Sequence, residues 1–458
     1  MYILCKTPFS LHRPTVHDTM ILNARCRTTV SFAIKGEKTT TMKTAGIIAE
    51  YNPFHNGHAY QLNTVREQTG ADYIIVAMSG NFLQRGVPAI VDKHMRADMA
   101  LAAGADLILE LPVFYATASA EFFAWGGVDL LGATGVVDNI CYGMETPHPD
   151  LMQDIVNALS NPSSGYDSRI CELTREGMTF PLARQTALVE MFPARQRREI
   201  STFLSTPNNI LALEYEKAIQ SRNVAGARPI QGITLQRVGD GYHDTHINSR
   251  YASATAIRRL LLSDTSQTDS AILSELLPKS SLDLLSEAAS MQLFTDTNDF
   301  SEALYTRLLA DRETGYDHYA DCSHELSNRI VNQLDNFVSF TQFAELLKTK
   351  ELTHTRINRV LTHILLGITW EDYCCTPAPY LRVLGFTRRA EPLLTEISKK
   401  ASAPLITKVA DASNILSDSA QCRLQKEIRC THLYNGIRRI KSGVPLRNEY
   451  TQPLIIRA

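Results

Sequence analysis

Residues 46–58 read Gly46-Ile47-Ile48-Ala49-Glu50-Tyr51-Asn52-Pro53-Phe54-His55-Asn56-Gly57-His58, and the order of features in them indicates an α/β fold. Residues 45–50 form a short apolar run that is typical of a buried parallel strand. Asn52-Pro53 predicts a turn, and residues 57–67 have the pattern of a helix. The chain therefore passes from a strand directly into a helix, which is the first unit of a strand–helix–strand fold.

The rest of the N-terminal half repeats this alternation. Further strands are predicted in four apolar runs: 72–78, 105–111, 139–142 and 233–238. Helices are predicted between them at 93–103 and 117–131. Strands of this length joined by helical crossovers predict a Rossmann-like parallel sheet, and such sheets bind ligands beyond the carboxyl ends of their strands.

The second half has a different pattern. Strand signals fade after about residue 260, and helical spacing appears in four segments: 270–277, 299–310, 324–334 and 355–366. We therefore predict two domains, an α/β domain over residues 42–260 and a mostly helical domain over residues 261–458. Residues 331–458 hold 18 Lys and Arg against 11 Asp and Glu, although the whole chain has a net charge of −2. A basic C-terminal part is compatible with a polyanionic partner, or with chance imbalance on a solvated surface.

Residues 1–41 differ from the rest of the chain. They hold six basic and two acidic residues with no sustained period, which fits either a transit peptide or an over-long start preceding Met42, and we favour the second. The nine cysteines form no CxxC pair, so free thiols in a reducing cytoplasm are expected. The absence of a long apolar run predicts no membrane span, and the sequence does not indicate the oligomeric state.

Two histidines stand three residues apart around a glycine at the predicted helix start. Residues at i and i+3 share a helix face, so His55 and His58 can face one ligand. The helix N-terminus adds free N–H groups and a positive dipole end, which suit a phosphate, and Gly57 leaves room for a nucleotide. The arrangement suits nucleotidyl transfer, with both histidines as catalytic donors to the growing charge. Surface histidines at a capped helix start are the alternative.

A second phosphate-binding element is predicted at residues 251–258, which read Tyr-Ala-Ser-Ala-Thr-Ala-Ile-Arg. This stretch resembles the Ser-Thr-x-x-Arg helix start of nucleotidyltransferases that carry the HxGH motif. Ser253 or Thr255 can cap a helix, and Arg258 can reach a phosphate. A capped amphipathic helix with solvent-facing arginines is the alternative.

The run at residues 46–58 also resembles the start of the bacterial tRNA(Met) cytidine acetate ligases. The resemblance covers about residue 42 to the C-terminus. It rests on further motifs of the same family: 78–89, Asp92-Lys93 with Arg96, 104–107 with 110–112, 207–211 with 213–215, Gly241-Tyr242-His243-Asp244 and Leu384-Gly385-Phe386. The 41 N-terminal residues have no counterpart in that pattern.

The resemblance implies a fold, a reaction and a set of residues. It implies a nucleotidyltransferase-like domain with an added helical domain. The reaction would use ATP and acetate to form acetyl-adenylate, and would then acetylate N4 of the wobble cytidine of elongator tRNA(Met), releasing AMP and pyrophosphate. Mg²⁺ is expected with the ATP. The implied ATP-binding residues are Ile48, Ala49, Glu50, Tyr51, Asn52, Pro53, Phe54, His55, Asn56, Gly57, His58, Ala59, Tyr60, Gln61, Gly143, Asn209 and Arg237. For the last three the alternatives are a turn glycine, a helix cap and a solvent-facing arginine.

Two further groups of polar residues are candidate binding residues. One follows the second strand and is interpreted as lining the acetate and phosphate site, with a structural ion-pair cluster as the alternative: Asn81, Gln84, Arg85, Asp92, Lys93 and Arg96. The other lies in the basic second half and is interpreted as binding tRNA phosphates, with a solvated basic helix face as the alternative: Lys348, Lys350, Arg356, Arg359, Arg388 and Arg389.

Two other functions remain open from the sequence. The chain could be an adenylyltransferase that joins AMP to a small metabolite, but its large basic half argues against such a compact enzyme. It could also be a non-catalytic RNA-binding protein on a nucleotidyltransferase core, but the presence of His55, His58 and Arg258 argues against that. No dedicated metal site is predicted.

Overall fold

The fold is a mostly parallel α/β sheet with a helical C-terminal region, seen in a computed structural model that describes residues 42–160, 165–237, 251–263, 267–373 and 378–458. The predicted extension at residues 1–41 and the motif at residues 241–244 lie outside the described residues. None of the described helices is both long and apolar enough to cross a membrane.

One sheet runs through the molecule, with neighbouring strands in the order β10-β8-β5-β2-β1-β6-β7 and with β9 paired to β8. The strands that it contains, together with the small hairpin β3–β4, are β1 (Thr44–Ala49), β2 (Tyr73–Ser79), β3 (Phe82–Leu83), β4 (Val87–Pro88), β5 (Leu107–Leu111), β6 (Asn139–Met144), β7 (Gln231–Gln236), β8 (Leu381–Thr387), β9 (Leu405–Ile406) and β10 (Ile455–Arg457). Neighbouring strands of the large sheet are parallel except for β5 and β8, which are antiparallel, as are the hairpin strands β3 and β4.

Helices of the first half pack on both faces of this sheet. They are α1 (Asn56–Thr69), α2 (Lys93–Ala102), α3 (Val113–Ala116), α4 (Ala120–Ala133), α5 (Pro149–Ser160), α6 (Tyr166–Arg175), α7 (Phe180–Glu190), α8 (Ala194–Phe203) and α9 (Pro207–Val224). Alternate residues of β2 enter two different cores. Ile75 and Ala77 join the core that includes α4 and α9, and Ile74 and Val76 join the core that includes α1 and α2. This division explains why the central strands are apolar throughout.

The second half is mostly helical. Its helices are α10 (Ala254–Leu262), α11 (Gln267–Leu276), α12 (Lys279–Ser290), α13 (Ser301–Ala310), α14 (His324–Gln333), α15 (Phe340–Leu347), α16 (His354–Leu366), α17 (Glu391–Lys400) and α18 (Asp418–Ser442). Residues from α13 to α16 form a separate apolar core. The strands and helices predicted from periodicity are all confirmed, with ends that differ by a few residues.

Three strands of the second half were not predicted. β8 joins the central sheet antiparallel to β5, β10 pairs with β8, and β9 adds two residues. The two halves therefore share one sheet. The domain division at residue 260 stays a prediction.

Candidate functional site

The predicted ATP-binding residues meet where the order of the strands reverses. From β1 the chain adds β2 and β5 on one side of the sheet, and then returns to add β6 and β7 on the other side. The carboxyl ends of β1 and β6 flank this switch point. In parallel sheets this is the place where ligands bind. The segment after β1 begins α1 here, Gly143 lies in β6, and Arg237 directly follows β7.

The turn between β1 and α1 is stabilised by hydrogen bonds between Asn52 and two other parts of the chain. The side-chain oxygen of Asn52 accepts a hydrogen bond from the Ile90 backbone N–H at 2.8 Å, and its carbonyl accepts one from Arg258 at 2.7 Å. Arg258 also donates to the Thr255 hydroxyl at 3.2 Å, and Ser253 caps α10. The predicted second element therefore lies against the first, and part of Arg258 serves to hold the turn.

The two histidines cap α1. Nδ1 of His55 accepts a hydrogen bond from the Gly57 N–H at 3.1 Å, and Nδ1 of His58 accepts one from the His55 N–H at 3.3 Å. Their rings stack with centroids 3.8 Å apart. A side chain at residue 57 would meet the His55 ring at 2.9 Å, so the glycine makes room for this histidine.

These contacts set the protonation of the pair. Burial, together with the charges of Arg237 and Arg258, lowers the pKa of His55 to about 3, and burial and the adjacent His55 lower the pKa of His58 well below its usual value. Both rings are therefore neutral at neutral pH. Because each Nδ1 accepts a backbone N–H, the single proton of each ring is on Nε2. Among the described residues neither Nε2 has a hydrogen-bond partner, so the site offers two N–H donors.

The three outlying ATP-binding candidates have unequal surroundings. Arg237 is exposed, lies near enough to lower the pKa of both histidines, and packs its side chain beside Gly143. Asn209 is buried in α9. Its amide accepts from the Glu145 N–H at 3.1 Å and donates to the Phe203 carbonyl at 3.2 Å. This amide holds the end of β6 against α9, so its predicted contact with ATP would compete with these bonds.

The loop after β2, residues 79–86, lies beside the end of β1. The Glu50 carboxylate accepts from the Gln84 backbone N–H at 2.8 Å, and the Gln84 side chain donates to the Ala118 carbonyl at 3.1 Å. Arg85 is partly exposed on the same loop, whereas Asn81 is buried. The structure thus brings these predicted acetate residues next to the turn after β1 that is predicted to bind ATP.

The predicted phosphate residues of α2 are instead bonded to the protein. Lys93 and Arg96 have no exposed surface, and Asp92 caps the helix and pairs with Arg438 at 2.8 Å. The Arg96 guanidinium donates to backbone carbonyls at the ends of both strands, to Glu50 at 2.5 Å, to Ser79 at 3.1 Å and to Gly80. Of the two interpretations of these three residues, the structural ion-pair cluster fits this geometry better.

The basic candidate residues of the second half differ from one another in exposure and in their partners. Arg359 is buried and pairs with Asp321 at 2.6 Å, and Arg356 donates to the Asp321 carbonyl at 3.2 Å. Arg389 pairs with Asp106 at 2.7 Å while remaining about half exposed. The remaining candidates are exposed: Lys348, Lys350 and Arg388. Binding of tRNA by these residues stays a prediction.

Helix α16 contacts the candidate site, which the sequence did not indicate. The Thr362 hydroxyl donates to the Gly86 carbonyl at 2.9 Å, and His363 bonds to the carbonyls of Ala320 and Thr117 at 2.8 and 3.0 Å. Sequence spacing places His363 on the basic face of this helix, but the residue is buried between the two halves. Contacts between residues this far apart in sequence leave no local pattern that could have predicted them.

The described residues include no cluster of three His, Cys, Asp or Glu side chains that could hold a metal ion. The five cysteines among them are free thiols: Cys141, Cys171, Cys322, Cys422 and Cys430.

Comparisons with known proteins agree with this geometry. The model of the HIGH Nucleotidyl Transferase family matches residues 42–444. The tRNA(Met) cytidine acetate ligase of Acetivibrio thermocellus is 35% identical over 422 residues, which cover 91% of this chain and 100% of the relative. The enzyme of the same name from Clostridium novyi is 35% identical over 86% of this chain and 96% of the relative.

Solved structures of the same kind are similar over the same extent. Thermotoga maritima TmcAL in an apo form has a TM-score of 0.83 and 30% identity, covering 91% of this chain and 100% of its own. TmcAL bound with alpha-thio ATP has a TM-score of 0.81, 29% identity and the same coverage. The chain therefore belongs to the HIGH nucleotidyl transferases and, among them, to the tRNA(Met) cytidine acetate ligase family.

Proposed function

We propose that this protein is an ATP-dependent ligase that activates acetate as acetyl-adenylate and transfers the acetyl group to N4 of the wobble cytidine of elongator tRNA(Met). The first step forms a bond between an acetate oxygen and the α-phosphorus of ATP and releases pyrophosphate. In the second step the cytidine N4 attacks the acetyl carbonyl carbon and AMP leaves. The membership of the family and the relative that binds an ATP analogue support this proposal.

The observation that carries the proposal is the stacked, neutral histidine pair at the sheet switch point. The two rings lie at the start of α1, beside the positive end of the helix dipole, where a triphosphate would sit. As charge grows on the phosphate oxygens in the transition state, these fixed donors stabilise it without reorganising. Arg237 adds a positive charge at the same edge.

Neither step requires a protein side chain as general base. Acetate is already an anion at neutral pH and can attack directly. The proton released from N4 can be taken by the phosphate of the departing AMP. The protein's contribution is therefore to orient the reactants and to stabilise charge.

This reaction also needs an RNA acceptor and a metal ion that accompanies ATP. We propose that the exposed basic residues of the second half bind the phosphates of the tRNA, with Lys348, Lys350 and Arg388 as the most accessible. Mg²⁺ would come with the triphosphate, since protein sites for this ion often supply only one or two carboxylates. We place the protein in the cytoplasm with its RNA substrate.

The first test is ATP–pyrophosphate exchange with purified protein, without tRNA, in the presence and absence of acetate. Acetate-dependent exchange is the expected result. Exchange that ignores acetate but responds to another small acid or nucleotide would favour the metabolite adenylyltransferase instead. Binding of ATP with no exchange for any acid, in the presence or absence of tRNA, would favour a non-catalytic RNA-binding protein.

The second test identifies the acceptor. Labelled acetate is offered with ATP and tRNA(Met) transcripts that carry either cytidine or uridine at the wobble position. Incorporation into the cytidine transcript alone is expected, because uridine has no exocyclic amine at that position. Equal labelling of both transcripts would contradict the assignment of N4 as the acceptor.

A further inference from the structure

A cluster of buried charges joins the C-terminal end of the chain to the candidate site. It consists of Lys93, Glu110, Arg382, Glu427 and Glu449, and we call it the buried charge cluster. Nζ of Lys93 lies 2.7 and 2.9 Å from the two oxygens of Glu110 and 3.0 Å from Glu449. Arg382 bridges the same two carboxylates, at 2.9 Å from Glu110 and in direct contact with Glu449.

Glu449 is the most distant member of the cluster in sequence. It follows α18, between that helix and β10, and lies 356 residues beyond Lys93. Its carboxylate contacts both cations of the cluster, and its side chain is only 1% exposed. Buried cations cost free energy unless their charge is balanced, and without Glu449 the contacts described above would leave Lys93 and Arg382 sharing the carboxylate of Glu110.

The other side of the cluster contacts the loop at residues 79–86. A side chain at residue 80 would meet the Glu110 carboxylate at 2.7 Å, so Gly80 allows the carboxylate to lie against the loop backbone. The backbone N–H of Lys93 donates to the Asn81 side chain at 2.8 Å. One turn further along α2, Arg96 donates to the Ser79 and Gly80 carbonyls and to the Glu50 carbonyl.

These contacts form a continuous connection from the end of the chain to the reaction site. Glu449 contacts Lys93 and Arg382, and both cations contact Glu110, which lies against the backbone at Gly80. Helix α2 holds the Asn81 side chain through the Lys93 N–H and the Gly80 carbonyl through Arg96. The same loop donates the Gln84 N–H to Glu50, at the end of β1. These contacts link the cluster to the position of the loop relative to the turn after β1.

We propose that Glu449 and Arg382 are positioning residues of the adenylation site, which act through Lys93 and Glu110 on the loop at residues 79–86. They do not touch the substrates. The proposal rests on the function proposed above only in so far as this loop lines the acetate site. Its structural content, that the C-terminal segment holds the loop in place, is independent of the reaction.

The test compares two contacts of the C-terminal segment with the body of the protein. Glu449→Gln removes one charge from the buried charge cluster. Asp98→Asn weakens the ion pair of Asp98 with Arg457 of β10, at 2.5 and 2.9 Å, which is partly exposed and lies outside the cluster. Hydrogen–deuterium exchange is measured on the peptide that covers residues 79–86, and the KM for acetate is measured in ATP–pyrophosphate exchange.

We expect Glu449→Gln to speed exchange of the loop amides. We expect it to raise the KM for acetate about tenfold, with ATP affinity changed much less, because the displaced loop would hold acetate less well in its reactive position. Asp98→Asn should leave both quantities as in the wild type. Loop exchange that is unchanged in Glu449→Gln, or equally raised in Asp98→Asn, would overturn the proposal.

A conservative variant covers the case in which Glu449→Gln does not fold. Glu449→Asp keeps the charge with a shorter side chain, and it should show intermediate loop exchange. Wild-type exchange in a folded Glu449→Asp protein, together with a wild-type KM, would contradict a positioning role. If the wild type itself lacks acetate-dependent exchange, the proposed function fails, and the hydrogen-exchange comparison still decides whether the segment holds the loop.

Discussion

Two sets of basic side chains lie at the carboxyl edge of the sheet, and they differ in the hydrogen-bond partners of their N–H groups. His55 and His58 use Nδ1 to cap α1 and keep Nε2 without a partner among the described residues. Lys93 and Arg96 direct their donors at carboxylates and backbone carbonyls of the protein. The histidines are neutral, whereas the cations are fully buried and balanced by neighbouring acidic and carbonyl groups.

The difference shows how burial separates two roles at one site. A neutral imidazole can stay partly desolvated at little cost and still donate to an incoming phosphate. A buried ammonium or guanidinium must be satisfied by the protein itself, so it has little capacity left for a ligand. Cations close to the candidate site therefore need not touch a ligand, and here Arg96 of α2 instead holds the backbone at the ends of β1 and β2.

The largest effect should come from removing a cation of the buried charge cluster. Lys93→Met leaves Arg382 as the Lys or Arg that contacts both Glu110 and Glu449 among the described residues. We expect a loss of about 3–5 kcal/mol in the free energy of unfolding, the range for breaking a buried ion pair. Urea denaturation measures it. The control is Lys399→Met, which breaks the exposed pair Lys399–Glu396 and should cost less than about 1 kcal/mol. A loss as small as this in Lys93→Met would contradict the conclusion that the protein depends on its buried cations.

The next largest effect should be on catalysis. His58→Ala removes one Nε2–H donor and should lower kcat for acetate-dependent ATP–pyrophosphate exchange by about 10²–10³, as for loss of one fixed transition-state donor. The cap that it also removes is worth only about 1 kcal/mol, so the protein should stay folded. The matched control is His324→Ala, at the start of α14 and 77% exposed, which should be fully active. Unchanged turnover in His58→Ala would remove the site assignment.

The sequence predicted the elements that carry the histidines because their signals are local. The apolar run 45–50, the Asn52-Pro53 turn and the His-x-Gly-His helix start lie within 14 residues of each other, and all three appear in the structure as predicted. Gly57 illustrates a limit. Its lack of a side chain suggests room for a nucleotide, and the structure also places the His55 ring against it.

The roles of the α2 cations could not be predicted in the same way. Lys93 meets Glu449 only because β8 and β10 extend the sheet towards α2, and β10 is three partly exposed residues with no detectable period. Arg359 is a similar case, since its pairing with Asp321 depends on how α16 packs. Spacing along a helix shows which side chains share a face, but not what lies opposite that face.

A smaller effect, and a sharper view of the histidine pair, should come from pH. Because the folded-state pKa of His55 is about 3 and that of His58 is also lowered, neither ring gains a proton as the pH falls through the usual histidine range near 6.5. We expect kcat/KM for ATP, which reports the free enzyme, to show no histidine limb near that pH. An acid limb in the wild type that His58→Ala removes would contradict the neutral pair.

The lowered pKa values of the two histidines also make the stability of the protein depend on pH, and their direction sets the sign of this dependence. In the unfolded chain both histidines bind protons below about pH 6.5, while the folded protein does not. The unfolded state then holds more protons, so the free energy of unfolding should fall as the pH drops below that value. Thermal unfolding at successive pH values tests this, and the fall should be smaller in His58→Ala, which has one such group fewer.

The smallest effect should come from cations that the protein leaves exposed. Lys348 forms a 3.7 Å surface pair with Glu345, and Lys350 is also exposed, so both can contact RNA phosphates without breaking the buried contacts described above. Lys348→Gln with Lys350→Gln should weaken tRNA binding, while acetyl-adenylate formation is unchanged. The slope of the logarithm of the binding constant against the logarithm of the salt concentration should become shallower by about one to two. Lys408→Gln, an exposed lysine beyond β9, is the control. A loss of adenylation in the double variant would mean that this surface also supports the active site through the contact of α16 with Gly86, whereas an unchanged salt dependence would place the RNA elsewhere.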